Sequence, residues 1–277
     1  MFNYKTILFL FLLVFGALKI PKNYWRLTGG FRPSCCKVIA DLRPEWKSEL
    51  PTKETLAILS QPFSFLQRGS QAYVFVSEDQ KYVLKIFSKP LKEYRFQRYT
   101  GKGKPHLSKA NRRMRINVAL QGYHLAQKLP PKASGLVYTH LNPTENSLPA
   151  VQIRDAFYRS YNLPLDQYRF VLQKKCFPLA STLQKLAREN RAQEIQHLIQ
   201  SYQKTIARRA SLSIRNSDTE FKKNFGVLDG EVVEFDVGEY FFDSSLESLE
   251  KQQAEVDLFN SQLDYWLRGH IAPGLLK

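Results

Sequence analysis

The residues best suited to chemistry lie between Ile214 and Tyr240. Asn224 precedes, and Asp236 follows, two short β-type runs within Val227 to Phe235 that are joined by Asp229-Gly230. Asp-Gly most readily supplies the two positive φ angles of a tight turn, so the spacing predicts a hairpin. A two-stranded ribbon returns its ends to nearly the same place, which brings the Asn224 amide oxygen and the Asp236 carboxylate together. Two oxygen ligands so placed suit magnesium, which keeps several waters and completes its octahedron with substrate phosphates. Read without chemistry, the same residues make an Asx turn at Asn224 and a glycine-ended strand at Asp236, because short motifs are hypotheses.

A second group lies upstream. Phe63 to Leu66, Tyr73 to Val76 and Tyr82 to Phe87 read as three strands of an antiparallel sheet. The first turn is small in side chain, with Gly69, Ser70 and Ala72, so its backbone N–H groups can approach a phosphate. Lys85 on the third strand can reach back beneath that turn. Alone, this pattern is common to many β-meanders.

Taken in order, the small loop, the strand lysine, the asparagine, the hairpin and the Asp-x-Gly resemble the protein-kinase-like fold. Asp236-Val237-Gly238 stands where protein kinases have Asp-Phe-Gly. Gln67, Gly69 and Ala72 occupy the three glycine places, Val74 matches the valine after the loop, and Tyr82-Val83-Leu84-Lys85 matches the lysine strand. The resemblance implies a two-lobed α+β fold, with an antiparallel β small lobe carrying one helix and a reduced, mainly helical large lobe. It implies ATP and Mg2+ as cofactors. Lys85 would orient the nucleotide phosphates, Gly69, Ser70 and Ala72 would cover them, and Asn224 and Asp236 would hold the metal. The run Arg169 to Lys175 resembles the strand leading into the hinge, placed near Lys174 to Phe177, with Gln173 and Lys175 at the nucleotide.

The chain also departs from the family's pattern. The small-lobe helix expected over Arg112 to Leu129, with Met114, Val118, Leu125 and Leu129 near helical spacing, contains no acid to pair with Lys85. Gln121 is the nearest substitute. Where protein kinases place His-Arg-Asp, this chain has Ile214-Arg215-Asn216-Ser217-Asp218. Asp218 is the candidate catalytic carboxylate, aligning an acceptor hydroxyl and taking its proton. A cap or turn role for Asp218 stays open; if Asn216 is the true equivalent, proton acceptance is lost. There is no Ala-Pro-Glu triplet and no room for a long activation loop. The resemblance therefore covers Phe63 to Tyr240 and is closer to compact bacterial kinase-like proteins, such as lipopolysaccharide-core sugar kinases.

The remaining elements follow from periodicity. Gly135 to His140, Val151 to Tyr161 and Tyr168 to Lys174 read as strands completing a five- or six-stranded sheet. Ser181 to Glu189 reads as a helix capped by Ser181, and Ala192 to Ala210 as a long helix with Ile195, Leu198, Ile199, Tyr202 and Ile206 on one stripe. Lys204, Arg208 and Arg209 near its end complement the helix dipole. Leu246 to Leu267 is a final amphipathic helix. The expected division is an apolar anchor or signal segment over 1–26, a linker or extension over 27–62, a small lobe over 63–177 and a large lobe over 178–277.

Thr6 to Leu18 is free of charge, yet shorter than the roughly 20 apolar residues that a spanning helix needs. Lys19, Lys22, Arg26, Arg32 and Lys37 follow it and only Lys5 precedes it, an asymmetry that keeps the body in the cytoplasm. The net charge is +16. Between Lys81 and Lys132, Glu93 is the single acid among 14 lysines and arginines. Such a block attracts phosphate, and beside an apolar N-terminus it ranks an anionic membrane surface, or an acceptor linked to it, above nucleic acid. Three cysteines, Cys35, Cys36 and Cys176, and five scattered histidines exclude a disulfide framework and a zinc site. The expected function is a membrane-associated phosphotransferase acting on a hydroxyl of a lipid-linked sugar or a protein. The alternative is a pseudokinase that binds nucleotide or a partner at the membrane.

Overall fold

The computed structural model describes residues 3–38, 42–88 and 109–276. Six of the 14 lysines and arginines of the basic block fall in 89–108, outside the described residues.

Helix α1 (Tyr4–Thr28) leads into a short α2 (Lys53–Leu59). Strands β1 (Phe63–Arg68), β2 (Ala72–Ser77) and β3 (Tyr82–Phe87) then form the predicted meander. After α3 (Lys109–Ala126) and α4 (Pro131–Ser134) come β4 (Leu136–His140), β5 (Ala150–Arg154), β6 (Ser160–Pro164) and β7 (Phe170–Lys174). The small lobe is one seven-stranded sheet of order β4-β7-β3-β2-β1-β5-β6. It exceeds the expected size because Val151 to Tyr161 is two strands rather than one. The Asp155 carboxylate accepts the N–H groups of Phe157 (2.8 Å) and Arg159 (3.0 Å), folding the chain back at that point. The pairing of β1 with β5 is parallel, so the sheet is not purely antiparallel.

Both faces of this sheet are covered. Val74, Lys85 and Val171 are successive cross-strand partners and so share one face. That face packs on α3 and Val237, with Ala72, Phe87, Leu120 and Tyr123 in one cluster. Tyr73, Phe75, Leu84 and Leu172 point the other way, onto Phe31, Ile58 and Leu59. The stretch expected as a linker is therefore part of the small lobe. Phe31 is fully buried there, edge-on to Tyr73, Phe75 and Tyr161.

The large lobe comprises β8 (Phe177–Pro178), α5 (Leu179–Arg188), α6 (Ala192–Ala210), β9 (Ile214–Asn216), α7 (Phe221–Asn224), β10 (Phe225–Leu228), β11 (Glu231–Glu234), β12 (Tyr240–Phe242) and α8 (Leu249–His270). The β10–β11 hairpin turns at Asp229 and Gly230, whose φ angles are 52° and 83°. Ile195, Leu198, Tyr202 and Ile206 of α6 are buried against Phe225 and Phe259, as their spacing predicts. The α5 helix begins two residues before the expected Ser181 cap. Lobes, meander, lysine strand and hairpin make up the two-lobed α+β, kinase-like arrangement.

The face of α3 differs from expectation. Leu125 and Leu129 are buried as expected, but Met114 is exposed and Val118 only half-buried, and the rest of the buried side is Ala119, Leu120, Tyr123 and Ala126. Small residues serve here because the helix lies almost against the Val237-Gly238 backbone. A Cβ on Gly122 would overlap the Val237 carbonyl oxygen. On an exposed helix Gly→Ala stabilises by about 1 kcal/mol. Gly122→Ala is instead expected to destabilise by about 1–3 kcal/mol, the usual cost of overpacking. Thermal denaturation measures the sign.

Among the described residues, no helix is long and apolar enough to cross a membrane.

Candidate active site

Lys85 sits where the two lobes meet. Its Nζ donates to the Phe235 carbonyl (2.9 Å), immediately before Asp236, and to the Tyr123 hydroxyl (2.8 Å). Burial lowers its pKa and the nearby Asp236 opposes that shift. Burial, with Asp236 adding to it, also holds the Tyr123 phenol well above its ordinary value, so Tyr123 is a neutral partner. Gln121, the substitute for the missing acid, accepts instead from the Trp46 indole (3.1 Å). Among the described residues, Lys85 makes no ion pair with a carboxylate within 4.0 Å. A half-buried cation held by a phenol and a carbonyl keeps its charge available for an anion that enters the cleft.

Asn224 and Asp236 come together as the ribbon requires. The Asn224 carbonyl accepts the N–H groups of Phe235 (2.8 Å) and Asp236 (3.4 Å). The Asn224 side chain is buried and its Nδ2 donates to the Asp218 carbonyl (3.1 Å), which leaves its oxygen for a cation. The Asp236 carboxylate is exposed. Asp218 is exposed as well. Its N–H is held by the Asn216 amide oxygen (2.9 Å), and its Oδ1 accepts the Glu220 N–H (3.0 Å). Asn216, the rival to Asp218, is buried and donates to Glu234 Oε1 (2.7 Å), so it supports the loop rather than facing an acceptor. Lys85, Asn224, Asp236 and Asp218 are therefore linked through one chain of hydrogen bonds.

The other candidates are placed differently. The loop after β1 closes on itself, because the Gly69 N–H donates to the Ala72 carbonyl (2.8 Å) and Ser70 Oγ bonds Gln71. Ala72 is buried on β2 beneath the loop. The Gln173 amide does not face a nucleotide; it is buried and donates to the carbonyls of Ser134 and Phe235 (3.1 Å each). It thus steadies the same carbonyl that binds Lys85. Lys175 turns outward to Gln80 (2.9 Å), and its backbone N–H is taken by Lys81 (2.7 Å), so neither group serves the cleft. Cys176 lies under Gly226, and burial pushes its thiol up to about 11 against the pull of Lys85, as expected of an inert filler.

Comparison with known proteins adds a likeness of shape only. No protein-family model matches the chain, and no curated protein matches it. Among solved structures, one of WbdD is similar at 15% identity, covering 75% of this chain and 39% of that one, with a TM-score of 0.40. A co-crystal structure of WbdD with the kinase inhibitor LY294002 is similar at 14% identity, over 65% and 33% of the two chains, at 0.38. A third, described as the bifunctional kinase-methyltransferase WbdD, is similar at 13% identity, over 73% and 39%, at 0.39. The chain spans 33–39% of the WbdD chains it matches.

Sequence reasoning missed two parts of the site. Tyr123 was hidden because a phenol in an apolar stripe reads as core. Tyr123→Phe removes the hydroxyl while keeping the ring on Phe87, and, if the cleft takes a nucleotide as proposed below, is expected to weaken its binding about tenfold, the worth of one hydrogen bond to a charged group. Titration calorimetry with ATP and magnesium checks this. The second missed part is Arg209, which does more than complement a dipole. It is fully buried, paired with Glu234 (3.0 Å) and Glu255 (2.9 Å), and donates to the Ile214 carbonyl (3.1 Å). Glu234 also accepts from the Tyr240 hydroxyl (2.6 Å). Burial works against the arginine's charge, but Glu234, Tyr240 and Glu255 outweigh it and raise its pKa. This network fastens the hairpin, the Asn216 loop and α8 together.

The donor set fits a nucleotide with magnesium. Two oxygen side chains stand beside a half-buried cation, and among the described residues no group of three or more His, Cys, Asp or Glu could hold a metal by itself. Such a site takes the rest of a cation's shell from phosphates and water.

Proposed function

We propose that the chain is an ATP- and magnesium-dependent phosphotransferase that acts on a hydroxyl acceptor at an anionic membrane surface, a lipid-linked sugar or a membrane-proximal protein. The observation that supports this most is Lys85, bonded to the carbonyl that precedes Asp236 while Asp236 and Asn224 share a backbone hydrogen bond. Bound ATP and magnesium would supply the transferable phosphoryl group and neutralise its charge. Lys85 binds the nucleotide's phosphates as a fixed cation, held in place by Tyr123 and Phe235. Asp236 and Asn224 offer the oxygens for magnesium. Asp218, exposed beside them, orients the acceptor hydroxyl and takes its proton. Positioning and charge compensation carry most of the rate in this chemistry.

Two observations favour the second reading, a nucleotide-binding module without efficient transfer. The Gly69 loop is closed by its own hydrogen bond, and α3 offers Lys85 a phenol where a carboxylate would hold it more firmly. Thermal shift with ATP, with and without magnesium, tests binding in both readings. Transfer of radiolabel from ATP to membrane extracts separates them. No shift in either condition would remove both.

The membrane part of the proposal is supported by α1. Leu8, Phe9, Leu10, Phe11, Leu12, Leu13, Val14 and Phe15 are each 49–64% exposed, apolar on every side of the helix. An all-round apolar surface suits lipid rather than a groove on a globular partner.

A further inference from the structure

The β5–β6 turn stands beside the base of α1. The Tyr24 ring of α1 stacks on Phe157 with centroids 5.6 Å apart and planes 4° from parallel. Arg159 lies over the same ring at 5.4 Å and donates to the Tyr24 hydroxyl (2.6 Å). Asp155, itself buried, fixes the turn by accepting from the N–H groups of Phe157 and Arg159 and from Arg159 Nε (2.7 Å). Held this way, the turn presents Phe157 and Tyr158 at 46% and 87% exposure. Tyr158 has a φ of 61°, a left-handed conformation that a bulky side chain adopts only at a cost. The fold gains no packing from that ring, and Asn or Gly would sit there without strain.

We infer that the β5–β6 turn is a second membrane contact, in which Phe157 and Tyr158 enter the headgroup region of an anionic bilayer alongside α1. The inference rests on the membrane reading of α1 given above. Aromatic rings with a polar or exposed edge collect at the membrane–water boundary. A helix rises about 1.5 Å per residue, so Tyr24 lies roughly 14 Å along α1 from Phe15. With the apolar run in hydrocarbon, that distance puts Tyr24, and the turn stacked on it, at headgroup level. Lys19, Lys22 and Arg26 fall in the same stretch of sequence, and the chain's charge of +16 favours anionic lipid.

The test uses the full chain and vesicles of phosphatidylcholine alone or mixed with phosphatidylglycerol. Phe157→Ser combined with Tyr158→Asn is expected to reduce sedimentation with anionic vesicles about tenfold, with an unchanged thermal midpoint. Tyr158→Trp is expected to show, when anionic vesicles are present, a blue shift larger than that of wild type, whose Trp25, Trp46 and Trp266 emit in both proteins and are subtracted. If the double variant binds as wild type and the emission of the Tyr158→Trp variant moves no further than that of wild type, while Leu10→Gln with Leu13→Gln abolishes binding, the turn contact is overturned and the α1 reading survives. If wild type and the α1 variant alike fail to bind, both fall. A blue shift that grows with protein concentration in the absence of vesicles would assign the surface to a second copy of the chain and overturn the inference.

Discussion

Asp236→Ala is expected to lower phosphoryl transfer about a thousandfold, the scale on which groups that compensate charge at a transferring phosphoryl act. The loss should fall on kcat, and the magnesium-dependent part of the ATP thermal shift should vanish with it. ATP alone should still shift the midpoint, because Lys85 remains bonded to the Phe235 carbonyl and to Tyr123. Asp236 is exposed, so its removal leaves no cavity and the folded state should be nearly as stable as before. Asp218→Asn is the useful partner. It keeps the turn that accepts the Glu220 N–H but removes the proton acceptor, so it should cost about a hundredfold in kcat with binding intact. Equal transfer by wild type and Asp236→Ala would leave only the binding module.

The second large effect is on stability. Arg209→Met should destabilise the chain by about 3–5 kcal/mol, because Glu234 would stay buried without a counter-charge and Glu255 would keep only Arg215, at 3.6 Å. In a chain of this size that is a fall in thermal midpoint on the order of 10 °C. The triple change Arg209→Met, Glu234→Gln, Glu255→Gln removes the charges together and should recover much of the loss, since a missing partner is what makes the single change costly. If the single variant melts with wild type, the network does not secure the loop.

The hairpin and the meander were legible because each is set locally: Asp229-Gly230 demands its turn, and alternation marks β1 to β3. Asn224 and Asp236 were legible for the same reason, since any ribbon brings its ends together. What stayed hidden depends on distant contacts. Tyr123 looks like an ordinary core residue until Lys85 reaches it, and Gln173, expected at the nucleotide, turns instead to the Ser134 and Phe235 carbonyls. Arg209 looks like a helix-end cation until Glu234 and Glu255 arrive from two other elements. The split of β5 from β6 was missed because Asp155 acts through its side chain rather than through a glycine or proline. The face of α3 was read correctly at Leu125 and Leu129 and misread at Met114, because close backbone approach selects Ala119 and Gly122, which hydrophobicity undervalues.

Phe31 closes the outer face of the small-lobe sheet, only a few residues after α1 ends at Gly29. Trimming the chain to begin at Phe63 would strip away Phe31, Ile58 and Leu59 and uncover part of Tyr73 and Phe75 to water. The truncated product would be prone to clump rather than to behave as a smaller version of the whole. A protease that leaves the lobe intact would therefore have to cut no later than α1, not at the boundary between extension and sheet.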